Sequence, residues 1–301
     1  MKKIAFVVVW MGSLPNYFPL WLSSCGVNNT VDFFLFTDDS HPYDVPSNVK
    51  MIYKSFDEVR GMIQKHFDFP ISLERAYKLC DYKPTYGEVF RDYLVDYDFW
   101  GYCDLDLIWG DIRRFVTDEI LEQNERIFTR GHCSLFRNNE KVNAYYRTLS
   151  PNGHLDYKMV YQSPESWCFD EWAGHCGGGI SIIFREHDIK TYDDVVMADI
   201  TVGYGSFYVN RRPELGKVKC FLYYDGKVFA RIKSGIEEVL YCHFQKRTLH
   251  IKISSEDYQR YSLVPIGRVL RFGKRDLSLV NLLIRLWLDC KRFLRRIIVT
   301  K

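Results

Sequence analysis

Asp98-Phe99-Trp100-Gly101-Tyr102-Cys103-Asp104-Leu105-Asp106-Leu107-Ile108-Trp109-Gly110-Asp111 is the stretch around which the chain is organised. Its first half, Phe99 to Cys103, is short, apolar and aromatic, the composition of a buried strand. Two carboxylates follow where the strand should end, separated by Leu105. Residues i and i+2 of an extended segment point to one side, so Asp104 and Asp106 can converge on one hard cation if Leu105 turns into the core. A divalent ion held there could clamp a diphosphate. The same acids could instead cap a strand-to-loop turn, a position that aspartate also favours. Spacing alone leaves both readings open.

Towards the N-terminus the pattern is that of alternating strands and helices. Ile4 to Trp10 is a continuous β-branched run, Ser13-Leu14-Pro15 opens a helix through Cys25, and Val31 to Thr37 is a second strand ending in Asp38-Asp39. Val49 to Tyr53 predicts a third strand, Phe56 to Phe67 a helix, and Pro84 to Asp96 another, with Pro84 in the first turn where a missing N–H costs little. Strands that alternate with helices and deliver polar residues at their C-terminal ends imply an α/β fold. The expected architecture is a Rossmann-like, mostly parallel sheet flanked by helices, with the ligand in the crevice beyond the strand ends. Residues 1–110 then form a nucleotide-binding half.

Beyond the motif, Asp111 to Asn124 and Glu140 to Leu149 are expected to be helical, Arg126 to Phe136 extended, and Ser150 to Ser163 irregular. Gly177-Gly178-Gly179 precedes the apolar run Ile180 to Phe184, which is expected to be a strand. Val218 to Tyr224 and Lys227 to Ile232 flank Asp225-Gly226, a hairpin signal. Residues 111–267 form the second half of a domain spanning 1–267, and 268–301 a basic tail.

Composition bounds the function. The 301 residues are 47% hydrophobic and carry a net charge of +3. The ten Lys/Arg of residues 268–301 stand against Asp276 and Asp289, so this tail carries +8 and the first 267 residues −5. A mildly acidic body argues against a nucleic-acid protein, which needs clustered positive charge across its fold. Nine cysteines without a Cys-x-x-Cys pair are read as reduced cytosolic thiols. The N-terminal apolar run is too short and lacks the cleavage pattern of a signal peptide, and no run of 18 apolar residues predicts a spanning helix.

Two further stretches carry candidate chemistry. In Tyr241-Cys242-His243-Phe244-Gln245-Lys246-Arg247, one loop could provide a metal ligand, His243, and a phosphate donor, Lys246. A lone histidine is also a common structural residue. Phe169-Asp170-Glu171-Trp172 sets two acids between aromatics, where Trp172 could stack on a sugar ring; Glu171 is the first candidate for a catalytic carboxylate and Asp170 the second. The pair could equally be surface acids at a helix start. Asp156, His154 and His175 follow as weaker candidates. From 277 to 299 the tail alternates Leu279, Leu283, Leu286 and Trp287 with Arg285, Lys291, Arg292, Arg295 and Arg296, which suits an amphipathic helix lying on an anionic membrane or capping the domain.

Lys83-Pro84 before a helix, Tyr102-Cys103-Asp104-Leu105-Asp106, and the late His243-Phe244-Gln245-Lys246 together resemble the GT-A glycosyltransferases of bacterial capsule and lipopolysaccharide synthesis, which are distantly similar to glycogenin-like enzymes. The resemblance spans roughly residues 4–250 and implies a Mn²⁺ (or Mg²⁺) ion held on a diphosphate by Asp104, Asp106 and His243. It also implies that Lys246 contacts phosphate, that Val9, Trp10 and Asp38 hold base and ribose, and that Lys83 lies near the nucleotide. The expected partners are a UDP-sugar donor and a glycan or lipid-linked acceptor, met in the cytoplasm or at the inner face of its membrane. His243-Phe244-Gln245-Lys246-Arg247 departs from the His-x-x-Gly-x-x-Lys-Pro pattern of the glycogenin-like group, so inversion and retention both stay open. The rival reading is a metal-dependent phosphohydrolase or phosphotransferase, because Asp104-Leu105-Asp106 also resembles the nucleophile loop of haloacid-dehalogenase-like phosphatases. Ile108 stands where that loop normally has Thr or Val, and about a hundred residues precede it. A third reading is a non-catalytic glycan-binding module, which would not need His243 and Lys246 beside the Asp pair.

Overall fold

The computed structural model describes residues 1–149, 155–172, 178–200, 206–245, 248–251, 258, 260–266 and 269–273. The protein is mixed α/β, and the chain divides into two compact units. The first comprises Met1–Pro15, Asn28–Leu105 and Val116–Asp194; the second comprises Asn16–Val27, Asp106–Phe115 and Val195–Lys301.

The first unit is built on a seven-stranded sheet flanked by helices. Four strands, Val49–Tyr53, Val31–Thr37, Ile4–Trp10 and Phe99–Cys103, run parallel in that spatial order, with Ile4 opposite both Val31 and Phe99. The sheet then continues through Cys133–Arg137, antiparallel to Phe99–Cys103, then Arg126–Arg130 and finally Thr191–Tyr192. Ile4 to Val8 and the whole of Phe99–Cys103 are buried, as strands covered on both faces must be, and this explains their continuous apolar runs. All four parallel strands coincide with the segments expected from sequence.

Helices of this unit differ more from expectation. Phe56–Gln64 forms, with a capping box in which Ser55 and Glu58 satisfy each other's backbone N–H. The expected helix Pro84 to Asp96 is instead three short pieces, Lys83–Thr85, Tyr86–Val89 and Arg91–Leu94. Phe90, at φ −107° and ψ 21°, interrupts it, and Gly87 packs directly on the Trp100 indole, leaving no room for a Cβ. Ile180 to Phe184 is a helix, Ile180–Glu186, rather than a strand; all five residues are buried, and a short run with only Ser181 polar has no periodicity that separates the two. Ser150 to Ser163, expected to be irregular, contains the helix Tyr157–Gln162, capped by the Asp156 side chain. Arg126 to Phe136 is two strands, Arg126–Arg130 and Cys133–Arg137, whose register shifts between Ile127 and Arg130, where Phe128 takes φ 68°. The expected helix 111–124 breaks into Ile112–Phe115, which belongs to the second unit, and Asp118–Gln123, which belongs to the first and is capped by Thr117. Glu140 to Leu149 likewise shortens to Glu140–Asn143 and the 3₁₀ turn Tyr145–Arg147.

The second unit contains two sheets. One orders Lys217–Val218, Phe207–Val209, Ala198–Ile200, Tyr241–His243 and Leu107–Trp109. The other orders Ile236–Val239, Lys227–Arg231, Cys220–Tyr224, Arg260–Ile266, Val269–Gly273 and Thr248–Ile251. The Asp225-Gly226 hairpin forms as expected, with φ of 50° and 78° at its two turn residues, the left-handed pair that a tight hairpin requires. The helix Phe18–Gly26 belongs to this unit and starts later than Ser13, with Pro19 in its first turn. Its Leu20 joins Phe207, Phe221, Val228 and Val239 in the core. The amphipathic helix expected within 277–299 lies outside the described residues. No described helix is long and apolar enough to cross a membrane.

Candidate functional site

The chain leaves the first unit at Leu105 and enters the second at Asp106, so each acid of the Asp-x-Asp motif has its own surroundings. Leu105 is fully buried, the inward turn that the sequence required.

In the first unit, Asp104 extends the Phe99–Cys103 strand, its N–H donating to the His132 carbonyl at 3.0 Å. Lys83 reaches it from the short 3₁₀ helix Lys83–Thr85. The ammonium donates to Asp104 Oδ1 and to the Gly131 carbonyl, both at 2.7 Å, pairs with Asp170 Oδ2 at 3.3 Å, and lies 5.5 Å from the centre of the Tyr102 ring. Tyr102 in turn donates its hydroxyl to the Asp170 carbonyl at 2.8 Å. Asp170 is only 4% exposed, and burial pushes its carboxyl up to about 7, against the pull of Lys83. Its neighbour Glu171 accepts the Gly131 N–H at 3.0 Å. A Cβ on Gly131 would fall 2.5 Å from Glu171 Oε1 and 2.7 Å from Asp170 Oδ2, so only glycine lets the hairpin turn approach both acids. Trp172, expected to be a sugar platform, has the Arg185 guanidinium 5.4 Å from its ring centre.

A buried ion pair presents Asp170. Lys78 donates to Asp81 at 2.8 Å, to the Val160 carbonyl at 2.9 Å and to the Glu165 carbonyl, and Asp81 accepts the N–H groups of Trp167 and Phe169. Both side chains are almost fully buried. Between them they fasten the loop before Asp170 to the helix Leu79–Tyr82. Lys78, Asp81 and Gly131 carried no recognisable signal in the sequence, because the groups they fasten together lie far apart along the chain.

At the end of the first strand, Val9 and Trp10 are half-buried, and the Trp10 indole donates to the Ser13 carbonyl at 3.2 Å. Exposed Asp38 accepts the Gly12 N–H at 2.6 Å, and Asp39 accepts that of Leu14 at 2.7 Å. The pair orders the loop after the strand, with Gly12 at φ 89°.

In the second unit, Leu107–Trp109 pairs antiparallel with Tyr241–His243, placing His243 opposite Leu107, and the Phe244 N–H donates to the Asp106 carbonyl at 3.1 Å. The ladder therefore fixes the imidazole beside the second acid. His243 is 5% exposed, with Nε2 3.4 Å from Asp106 Oδ1 and Nδ1 3.0 Å from Asp199 Oδ1. Gln245 also donates to Asp199 Oδ1, at 3.4 Å. Burial opposes charge on the ring, but the bonds to Asp106 and Asp199 outweigh it and raise the His243 pKa to about 10. The imidazole shares a proton with the two carboxylates and, once that proton has left, Nε2 and the Asp106 carboxylate can ligate a divalent cation. This oxygen-rich donor set with one nitrogen suits Mn²⁺ and, less closely, Mg²⁺. Asp199 was missed because Met197-Ala198-Asp199 has no motif around it.

Of the other candidates, Asp156 serves as the cap of Tyr157–Gln162. Lys246, His154, His175 and Gly177 lie outside the described residues. Cys25, Cys103, Cys133, Cys220 and Cys242 are buried and in no disulfide.

Fold and side-chain clusters together define a mixed α/β protein whose mostly parallel sheet ends in a lysine–carboxylate centre at Asp104, with an acid–histidine centre at Asp106, two residues further along the chain. The chain belongs to a family whose model matches residues 6–269 and is described as "Family of unknown function (DUF6625)". No curated protein matches it.

Proposed function

We propose that the protein is a metal-dependent GT-A-type glycosyltransferase that moves a sugar from a nucleotide sugar, UDP-linked by preference, to a glycan or lipid-linked acceptor of surface polysaccharide. The observation that carries this reading is the placement of Asp104-Leu105-Asp106 at the C-terminal end of a buried parallel strand, with Lys83 on its first acid and His243 on its second. Ligands of open α/β sheets bind beyond those strand ends.

Asp106 and His243 would hold the metal, joined by Asp104 two residues away in the chain. A divalent cation bound there supplies charge neutralisation for the departing diphosphate. The chain's own groups do the rest. Lys83, held by Asp104, Asp170 and Gly131, brings a fixed positive charge to the donor side. Asp170 is the better catalytic candidate of the acid pair, since it is buried against Lys83 with a carboxyl poised near neutrality, whereas Glu171 is engaged by the Gly131 N–H. Val9, Trp10 and Asp38 are assigned to base and ribose, and Lys246 to phosphate, from the resemblance.

A panel of nucleotide sugars screened for Mn²⁺-dependent binding and slow hydrolysis tests the proposal. Binding of one nucleotide sugar that requires the metal, and is lost in Asp106→Asn, is the expected result. A chain that binds none with or without metal is not this enzyme.

A further inference from the structure

We infer that Asp199 is a positioning residue for the metal centre: it holds the Nδ1–H of His243 so that Nε2 is the nitrogen offered to the cation. The inference rests on the proposed role of His243 as a metal ligand. Asp199 Oδ1 receives two donors at once, His243 Nδ1 at 3.0 Å and the Gln245 side-chain amide at 3.4 Å. An amide N–H can only donate, so it marks that oxygen as an acceptor, and the ring nitrogen facing it as the one carrying hydrogen. The opposite nitrogen, Nε2, faces Asp106.

The backbone makes this arrangement rigid. Asp199 sits in the strand Ala198–Ile200, whose Ala198 pairs with Cys242, the residue before His243. On the other edge of Tyr241–His243 lies Leu107–Trp109, which leads directly from Asp106. Carboxylate, imidazole and ligand acid therefore come from three neighbouring strands of one sheet. Gln245 reaches back from a left-handed turn, at φ 34°, to share the same carboxylate oxygen. A histidine that ligates a metal through one nitrogen commonly gives its other N–H to a carboxylate. That carboxylate fixes the tautomer and raises the basicity of the ring, and its loss typically lowers metal affinity about 10–100-fold.

The test uses the full-length chain and Mn²⁺ alone, with affinity read from the EPR signal of the free ion. Asp199→Asn keeps the shape and one acceptor but removes the charge, and Asp199→Ala removes both. Affinity should fall in the order wild type, D199N, D199A, reaching about 10–100-fold for the alanine variant. In the wild type loaded with diamagnetic Cd²⁺, long-range ¹H–¹⁵N spectra should show Nε2 bound to metal and Nδ1 protonated, a signature that a merely structural aspartate would not produce. Wild-type affinity in both Asp199 variants, with affinity lost in His243→Ala, overturns the inference and leaves the ligand role standing. Wild-type affinity in His243→Ala removes the ligand role, and the inference with it. Should the variants fail to fold, metal found on Nδ1 of the wild type overturns the inference and metal on Nε2 upholds it.

Discussion

His243 is the side chain on which the proposed chemistry turns. With its pKa raised to about 10 from an ordinary value near 6.5, the metal-free ring carries a proton at neutral pH. That charged pairing stabilises the folded state fully below pH 6.5, and the contribution is lost as pH rises through about 10. Thermal melts of the metal-free wild type should therefore fall between these limits more steeply than those of His243→Gln. Cation binding must expel the same proton, so Mn²⁺ affinity should climb with pH across that window, with proton release measurable in buffers of different ionisation enthalpy. The carboxylate pair allows a second prediction. Asp170→Asn should lower turnover by about 10²–10⁴ while leaving donor affinity nearly unchanged. Glu171→Gln should cost less, and the reverse order would return the role to Glu171. The motif and His243 were legible in sequence because acids at i, i+2 and a histidine beside a short apolar run carry their own signal. Asp199, Asp81, Lys78 and Gly131 were not, since their partners lie between 3 and 88 residues away and nothing local marks them.

The strands could be read more easily than the helices. Ile4–Trp10, Val31–Thr37, Val49–Tyr53 and Phe99–Cys103 are bounded as expected, because β-branched and aromatic runs between turn residues have few other uses. Ile180–Glu186 defeats that logic, being buried across its first five residues with only Ser181 polar among them, and Phe90, its ring packed on that of Phe36 in the sheet, interrupts a helix that the periodicity kept whole. Close packing also yields a prediction for Gly101, where a Cβ would lie 2.4 Å from the Ser134 carbonyl and 2.7 Å from Leu135 Cδ2. Gly101→Ala should push apart the pairing of Phe99–Cys103 with Cys133–Arg137 and destabilise the protein by about 1–3 kcal/mol in urea unfolding. A larger loss is expected for Lys78→Met, about 3–5 kcal/mol, because it strands the buried Asp81 carboxylate that fastens the loop before Asp170. A near-neutral effect of Lys78→Met would mean that Asp81 is satisfied by its backbone donors alone.

Across the whole chain, the alternation of strands and helices identified a mostly parallel α/β sheet. It did not disclose that Asn16–Val27 and Asp106–Phe115 join Val195–Lys301 in the second unit, because tertiary partnership between distant segments has no local pattern. The basic residues of 277–301 bear on where such an enzyme would work. Deleting them should leave nucleotide binding intact and reduce sedimentation with anionic liposomes, most at low salt. Equal liposome binding by the folded truncation would exclude a membrane role for the tail. The central claim is that Asp104, Asp106 and His243 hold a divalent metal against a nucleotide diphosphate. Calorimetric titration of UDP into the wild type, Asp104→Asn, Asp106→Asn and His243→Ala, each with and without Mn²⁺, tests it most directly. The expected result is Mn²⁺-dependent binding in the wild type that disappears in Asp106→Asn and His243→Ala and weakens at least tenfold in Asp104→Asn, about 1.4 kcal/mol or more. UDP binding that is unchanged by metal, or retained at wild-type strength in all three folded variants, would contradict it.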